Sequence, residues 1–172
     1  MSQPSELELK KNIHSVSLVV ANKPGVLVRT AQVFARRGFN IDSLVVSPTV
    51  DPRFSSMTIT SRGDVATLDQ IIKQSAKLID VIHVREHKPE ESIEVELALY
   101  KIKSKPAAKA TITKLIKKFQ TRMIDHNKDS LIIQQTGSTD ELDKLEASLK
   151  KYGLLEMVRT GKVLMARGKA ST

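Results

Sequence analysis

The feature that most constrains this chain is an order of apolar patterns that occurs twice. In each half, a segment with the period-two alternation of a strand precedes a stretch with helical spacing. Two short alternating segments, a second helical stretch and a last strand follow. In the first half the predicted strands are 13–20, 41–46, 57–60 and 81–84, and the predicted helices are 26–37 and 63–79.

The second half repeats this order after a polar segment, 87–92, which contains a proline and is typical of a linker. Ser138 and Glu141 have the spacing of a capping box, which predicts the start of the last helix, and Gly153 is its stop signal. The predicted strands of this half are 93–102, 123–124, 131–133 and one strand or strand pair in 155–166, and its predicted helices are 107–119 and the one carrying Leu142, Leu145 and Leu149.

Each half is therefore a βαββαβ unit, which predicts an α+β chain of two ferredoxin-like domains in tandem. Each domain would be an antiparallel four-stranded sheet with its helices on one face. The uncovered face and the edge strands favour oligomerisation. The predicted boundaries are an N-terminal extension at 1–12, a first domain at 13–87, a linker at 88–92, a second domain at 93–168 and a tail at 169–172.

Composition limits the class of protein. The chain has no cysteine, which excludes disulfides and cysteine-ligated metals and suits a reducing compartment. Its first residues are polar and acidic, unlike a signal peptide, and no uncharged apolar stretch approaches the roughly 20 residues that cross a bilayer. We expect a protein of the cytoplasm, or of the equivalent organelle lumen, without a membrane partner.

The net charge of +9 raises the question of a nucleic-acid partner. Acidic residues are interleaved with the basic ones through most of the chain, and the aromatic content of 3% leaves few stacking platforms, so we expect none. An acid-free basic stretch runs from Lys101 through Lys118. A solvated surface, a docking surface for an acidic protein and a nucleic-acid site all fit this stretch, in that order of preference.

The sequence contains no recognisable catalytic constellation. The 4 histidines are not spaced as metal ligands on a helix, and His14 and His83 fall on predicted strands, where an ordinary structural histidine is the better interpretation. Nucleophile-elbow, phosphate-loop and dinucleotide motifs are absent. These patterns predict a non-catalytic chain that binds no metal.

The junction between the first strand and the first helix is the best candidate for a binding site. The free amides of a helix amino terminus bind carboxylates, and Gly25 lets a ligand approach the backbone. Asn22 offers an acceptor for an ammonium group, and Val26 and Leu27 offer apolar contacts. A Pro-Gly turn that only starts a helix explains the same residues equally well.

Asn40, at the entry to the second strand, is a second candidate. On an edge strand its side chain can reach across a two-fold axis to the junction of a neighbouring copy. An asparagine beside the glycine that ends a helix is also common for purely structural reasons, and spacing does not separate the two.

Several segments together resemble the regulatory small subunit of acetohydroxyacid synthase, also called acetolactate synthase. The resemblance covers about residues 13–167. Its motifs are 22–27 (NKPGVL), 36–41 (RRGFNI), 43–44 (SL), 48–49 (PT), 51–52 (DP), 57–59 (MTI), 78–81 (LIDV) and 158–162 (VRTGK).

The resemblance implies an N-terminal ACT domain followed by a second, ACT-like domain. It implies a chain without activity or cofactor of its own that activates a separate catalytic subunit, where thiamine diphosphate, magnesium and FAD are expected. It also implies a homodimer formed through the ACT domains and feedback inhibition by a branched-chain amino acid, with valine as the expected effector. The site residues it implies are Asn22, Gly25 and Asn40, with Val26, Leu27 and Ile41 added by adjacency.

A different class of function stays open from the residues alone. A free-standing ACT-type regulator that responds to an amino acid and acts on another protein or on nucleic acid fits the same fold. The positive net charge is the only feature that supports its nucleic-acid form.

Overall fold

The structure, a computed structural model, describes residues 13–104, 109–170 and 172. The predicted N-terminal extension, the start of the helix predicted at Ala107, and Lys105 of the basic stretch lie outside these residues. The chain divides into two compact units. The first extends to Glu94 and includes the segment from Lys162 onward, and the second is Val95–Gly161. The domain boundaries drawn from the sequence remain predictions.

The first unit contains the predicted βαββαβ order. Its sheet has the strand order β2-β3-β1-β4, and every neighbouring pair is antiparallel. β1 is therefore central, and β2 is an edge strand. The elements are β1 (Ile13–Ala21), α1 (Val26–Arg36), β2 (Ile41–Pro48), β3 (Phe54–Arg62), α2 (Val65–Ser75) and β4 (Val81–His87).

Period-two alternation in β1 builds the core of this unit. Val16, Leu18 and Val20 are buried on the face that meets both helices. Phe34 of α1 and Ile71 of α2 belong to the same cluster. Both helices therefore cover one face of the sheet, as the sequence predicted.

The opposite face of this sheet is partly covered by the same chain. Ser15 and Ser17 lie on that face and are nevertheless buried. Lys162 Nζ lies 3.4 Å from Ser15 Oγ and 2.6 Å from Glu94 Oε2, so the segment that follows β8 returns to this face. The exposed face of this sheet is thus smaller than the alternation of apolar and polar residues in its strands predicted.

The elements after β4 repeat the same order. The second sheet has the order β6-β7-β5-β8, and β9 also pairs with β5. Tyr100 is fully buried and donates its hydroxyl to the Leu142 carbonyl at 3.0 Å, which ties β5 to α4. The elements are β5 (Ser92–Lys103), α3 (Lys109–Lys118), β6 (Arg122–His126), β7 (Ser130–Gly137), α4 (Thr139–Lys150), β8 (Leu154–Arg159) and β9 (Val163–Ala166).

Two local predictions were wrong. The α2 helix ends at Ser75, so Leu78 and Ile79 lie in a turn, and Ile79 is 95% exposed. The chain must turn here because β4 begins its pairing with β1 at Val81. The fourth strand, predicted to end at residue 84, continues to His87, which pairs with Ser15, and residues 88–91 connect it to β5.

The capping box predicted for the last helix is confirmed. Ser138 accepts from the Glu141 N–H, and Glu141 accepts from the Ser138 N–H at 2.8 Å. Replacing Ser138 with alanine leaves helix amides without a partner. We expect Ser138→Ala to lower the free energy of unfolding by about 1 kcal/mol in chemical denaturation.

Ser148→Ala is the matched control for this prediction. Ser148 lies inside the same helix and donates to the Lys144 carbonyl at 2.8 Å, a bond that an interior helix does not need. We expect its effect to stay within about 0.5 kcal/mol of wild type. Equal losses in the two variants would contradict a capping role for Ser138.

Candidate functional site

The site predicted at the β1–α1 junction is built around Gly25. Gly25 is the N-cap residue of α1 and has φ 83°, a left-handed conformation that disfavours any residue with a Cβ. Among the described residues, no side chain caps this helix. The helical hydrogen bonds begin with Arg29 N–H to the Gly25 carbonyl at 3.1 Å, so in the described chain the Leu27 and Val28 amides lack an intrahelical acceptor.

Asn22 stands beside this helix terminus with a fixed side chain. Its backbone N–H donates to the Arg53 carbonyl at 2.8 Å, and its Nδ2 donates to the Pro52 carbonyl at 3.0 Å. Both contacts hold the residue against the turn before β3. The side-chain oxygen is left as an acceptor on an exposed residue, which suits an ammonium group.

The two apolar residues of the predicted site face different ways. Val26 is only 3% exposed and belongs to the core of the first unit, so its side chain faces the protein interior. Leu27 is 43% exposed and faces outward from the first turn of the helix. At this junction the apolar surface therefore comes from the Leu27 side chain, and Val26 can contribute only backbone atoms.

Sequence reasoning missed an ion pair at the same junction. Arg29 Nη2 lies 2.5 Å from Asp80 Oδ2, and the Asp80 carbonyl accepts the Ala21 N–H at 2.8 Å. A Cβ at Gly25 would lie 3.0 Å from Arg29 Nη1, so the guanidinium lies against the cap residue. The spacing of four residues between Gly25 and Arg29 was the available signal, because long helical side chains point back toward the amino terminus.

Asn40 and Ile41 lie at the opposite end of the sheet. Ile41 pairs with Ser61, whereas the Asn22 end of the sheet is marked by the pairing of Ala21 with Phe54. The interval from residue 54 to residue 61 along β3 is about 23 Å of strand. Within one chain, the structure therefore does not bring Asn40 to the β1–α1 junction.

The Asn40 side chain is exposed and makes a hydrogen bond to Asp42. Its Nδ2 donates to Asp42 Oδ1 at 3.2 Å, and its backbone carbonyl accepts from Ser61 Oγ at 2.6 Å. Asp42 is in turn paired with Arg62 at 2.7 Å. Ile41 packs partly against the core of the first unit. The backbone of Asn40 is thus fixed, and its side chain projects from the start of the edge strand.

His14, on β1, has two structural partners. His14 Nδ1 lies 2.8 Å from Glu86 Oε1, and its Nε2 lies 3.1 Å from the Gly63 carbonyl. Within the described ranges no group of three or more histidine, aspartate and glutamate side chains is placed to hold a metal ion. No described helix is both long enough and apolar enough to span a membrane.

Comparison with known proteins assigns both halves of the chain. Residues 16–83 match the family model described as an AHAS small subunit-like ACT domain, and residues 95–168 match the model described as the small subunit of acetolactate synthase. The probable acetolactate synthase small subunit of Archaeoglobus fulgidus is 43% identical over 155 residues, which cover 90% of this chain and 97% of that protein. This chain belongs to the acetolactate synthase small subunit family.

Other members of the family agree in length and in fold. The acetolactate synthase small subunit of Mycolicibacterium smegmatis is 38% identical over 90% of this chain and 91% of its own length. The crystal structure of the acetolactate synthase small subunit from Thermotoga maritima has 37% identity and a TM-score of 0.83, and covers 92% of this chain and 99% of that chain. The resemblance and the fold class expected from the sequence are confirmed, and family membership supports a regulatory role.

A buried histidine outside the candidate site makes the stability of the first unit depend on pH. His87 is 3% exposed, and its Nε2 lies 2.6 Å from Ser17 Oγ. Burial, and then the nearby Arg85, lower the pKa of His87 below its ordinary value. The folded chain therefore binds this proton less readily than the unfolded chain, and stability falls as pH falls through about 6.5.

We expect His87→Gln to reduce this pH dependence, because glutamine keeps a polar group near Ser17 but does not titrate. The measurement is the melting temperature from about pH 7.5 down to about pH 5.5. His83→Gln is the control, since His83 is exposed on the same strand. A loss of melting temperature at acid pH as large in His87→Gln as in wild type would contradict the assignment.

Proposed function

We propose that this chain activates a separate catalytic subunit of acetolactate synthase and carries the site through which a branched-chain amino acid, preferentially valine, inhibits that enzyme. The observation that carries the proposal is the helix terminus at Gly25, in a member of this family. It lies beside Asn22, and no side chain in the described ranges caps it. The catalytic cofactors, thiamine diphosphate, magnesium and FAD, belong to the partner in this proposal. The complex functions in the cytoplasm or the equivalent organelle lumen.

The chemistry of an amino acid matches the groups at the junction. The effector carboxylate binds the free amides of Leu27 and Val28, where the helix dipole adds positive potential. The ammonium group donates to the side-chain oxygen of Asn22. The aliphatic side chain packs on the exposed face of Leu27. Gly25 contributes a backbone without a Cβ, in the left-handed conformation that begins the helix.

A second copy of the chain completes this site in our proposal. β2 is an edge strand, and antiparallel pairing of β2 with its two-fold copy forms a continuous sheet across the dimer. Such pairing brings the start of one β2, at Asn40, to the end of the other. That end, at Pro48, pairs with Ser55, next to the turn that holds Asn22. Asn40 and Ile41 of one copy then contact the effector bound at the β1–α1 junction of the other copy.

Inhibition requires that the effector distinguishes two states of the complex. An effector that binds the activating and the inactive arrangements equally shifts nothing. By linkage, the factor by which the catalytic subunit changes the affinity for the effector equals the factor by which the effector changes the affinity for the catalytic subunit. In typical allosteric couplings this factor is about 5- to 150-fold. The dimer interface at the site provides the element that the effector can bias.

We expect Gly25→Asp to abolish inhibition while the chain still activates the catalytic subunit. The new carboxylate lies in the position proposed for the effector carboxylate, and its Cβ approaches Arg29 Nη1 to 3.0 Å. The measurement is the rate of the reconstituted enzyme with increasing valine, leucine or isoleucine. Unchanged sensitivity to the preferred effector in Gly25→Asp would remove the proposed site.

Gly168→Asp is the matched control for this substitution. Gly168 has φ +68°, and a Cβ there meets nothing within 4 Å. The control variant therefore also places an aspartate in the left-handed region and adds the same charge as Gly25→Asp, in the same unit of the chain. We expect it to retain full inhibition. Loss of inhibition in both variants would indicate a general effect of strain or charge.

Mixed dimers test whether two copies share one site. Dimers of Gly25→Asp alone or of Asn40→Ala alone have both sites damaged, and we expect each to lose inhibition. A mixed dimer with one chain of each kind combines both changes in one site and leaves the other intact. We therefore expect co-expressed, doubly tagged mixed dimers to regain partial inhibition. A mixed dimer that is as insensitive as the two parents would contradict the shared site.

A further inference from the structure

The ion pair between Arg29 and Asp80 places a positive charge directly at the Gly25 helix terminus. Arg29 lies one turn into α1, and its side chain runs back toward the amino terminus. Its Nη1 lies 3.0 Å from the position of a Cβ on Gly25, and its Nη2 lies 2.5 Å from Asp80 Oδ2. The guanidinium therefore lies against Gly25, at the helix terminus that the effector must approach.

Asp80 holds this guanidinium from the turn that precedes β4. The Asp80 side chain is 14% exposed, whereas the Arg29 side chain is 45% exposed, so the carboxylate is the fixed member of the pair. The Asp80 carbonyl also accepts the N–H of Ala21, which ties the end of β1 to the turn before β4. Asp80 is thus fixed between the end of β1 and the start of β4.

Arg29 retains hydrogen-bonding capacity after it pairs with Asp80. A guanidinium has five N–H donors in a planar fork, and the structure assigns Nη2 to Asp80. In the described residues no acceptor pairs with Nη1, which faces Gly25. A planar fork can bind two carboxylates at once, one along each edge, and lysine cannot reproduce this geometry.

We propose that Arg29 binds the carboxylate of the amino-acid effector through Nη1, and that Asp80 is the positioning residue that orients it. The inference rests on the proposed function, because it assigns a residue to that same site. The effector carboxylate then lies between the Leu27 and Val28 amides on one side and the guanidinium on the other. Arg29 thereby selects ligands with a free carboxylate over neutral analogues.

The test compares L-valine with L-valinamide as inhibitors of the enzyme reconstituted from the full chain and its catalytic subunit. Valinamide keeps the ammonium group and the side chain but replaces the carboxylate with a neutral amide. We expect Arg29→Gln to raise the half-inhibitory concentration of valine by about tenfold or more, the usual effect of losing a charge-assisted hydrogen bond. We expect its effect on valinamide to be much smaller.

Three variants separate direct binding from other roles of Arg29. Arg29→Lys keeps the charge but not the fork, and we expect an intermediate loss. Lys23→Gln removes another positive charge at the same junction, and we expect it to keep the preference for valine. Asp80→Asn breaks the ion pair but leaves Arg29 and an acceptor oxygen, and we expect it to keep most of the preference. The melting temperature of each variant shows how much the substitution changes protein stability, independently of its effect on inhibition.

The outcomes distinguish this inference from the proposed function. A wild-type enzyme insensitive to valine, leucine and isoleucine would overturn the proposed function. If wild type is inhibited and Arg29→Gln prefers valine over valinamide as strongly as wild type does, only the role of Arg29 is overturned. The same holds if Arg29→Gln and Asp80→Asn lose this preference to the same extent. If valinamide does not inhibit wild type, the test is the half-inhibitory concentration of valine. An unchanged half-inhibitory concentration in Arg29→Gln contradicts the inference.

Discussion

The first unit depends on the antiparallel pairing of β1 with β3 on one side and β4 on the other. This pairing places alternate β1 side chains under the helices, where they form the core. It also ends β1 at Ala21, whose N–H bonds to the Asp80 carbonyl beside the start of β4. The chain must leave the sheet at this point, and Gly25, with φ 83°, supplies the left-handed backbone that begins α1. The candidate site is a consequence of where these strands end.

A site at a strand end has a physical consequence for regulation. One chain places Asn22 and Gly25 at one end of the sheet and Asn40 at the other, separated by the length of β3. In the function proposed above, the missing groups come from a second copy across the edge strand β2. Effector binding and the geometry of the dimer are then two aspects of one equilibrium, so an amino acid can act on a distant catalytic partner without touching it.

The sequence-based predictions succeeded where the signal was local and failed where pairing decided. Alternation located the strands, and the spacing of Ser138 and Glu141 located a capped helix, because both signals involve neighbours along the chain. Leu78 and Ile79 continue a helical spacing, yet they lie in a turn because β4 must meet β1 at Val81. His87 stands next to a polar segment, yet strand pairing with Ser15 extends to it and buries it.

The sequence by itself determined the repeated βαββαβ order, the glycine that begins α1 and the family to which the chain is related. Each of these is encoded in residue types at short, fixed spacings. Only the tertiary structure decided that Val26 faces the core, that Arg29 pairs with Asp80 at the Gly25 terminus, and that Asn40 lies at the far end of the sheet. These facts depend on contacts between residues far apart in the chain, and local spacing carries no information about such contacts.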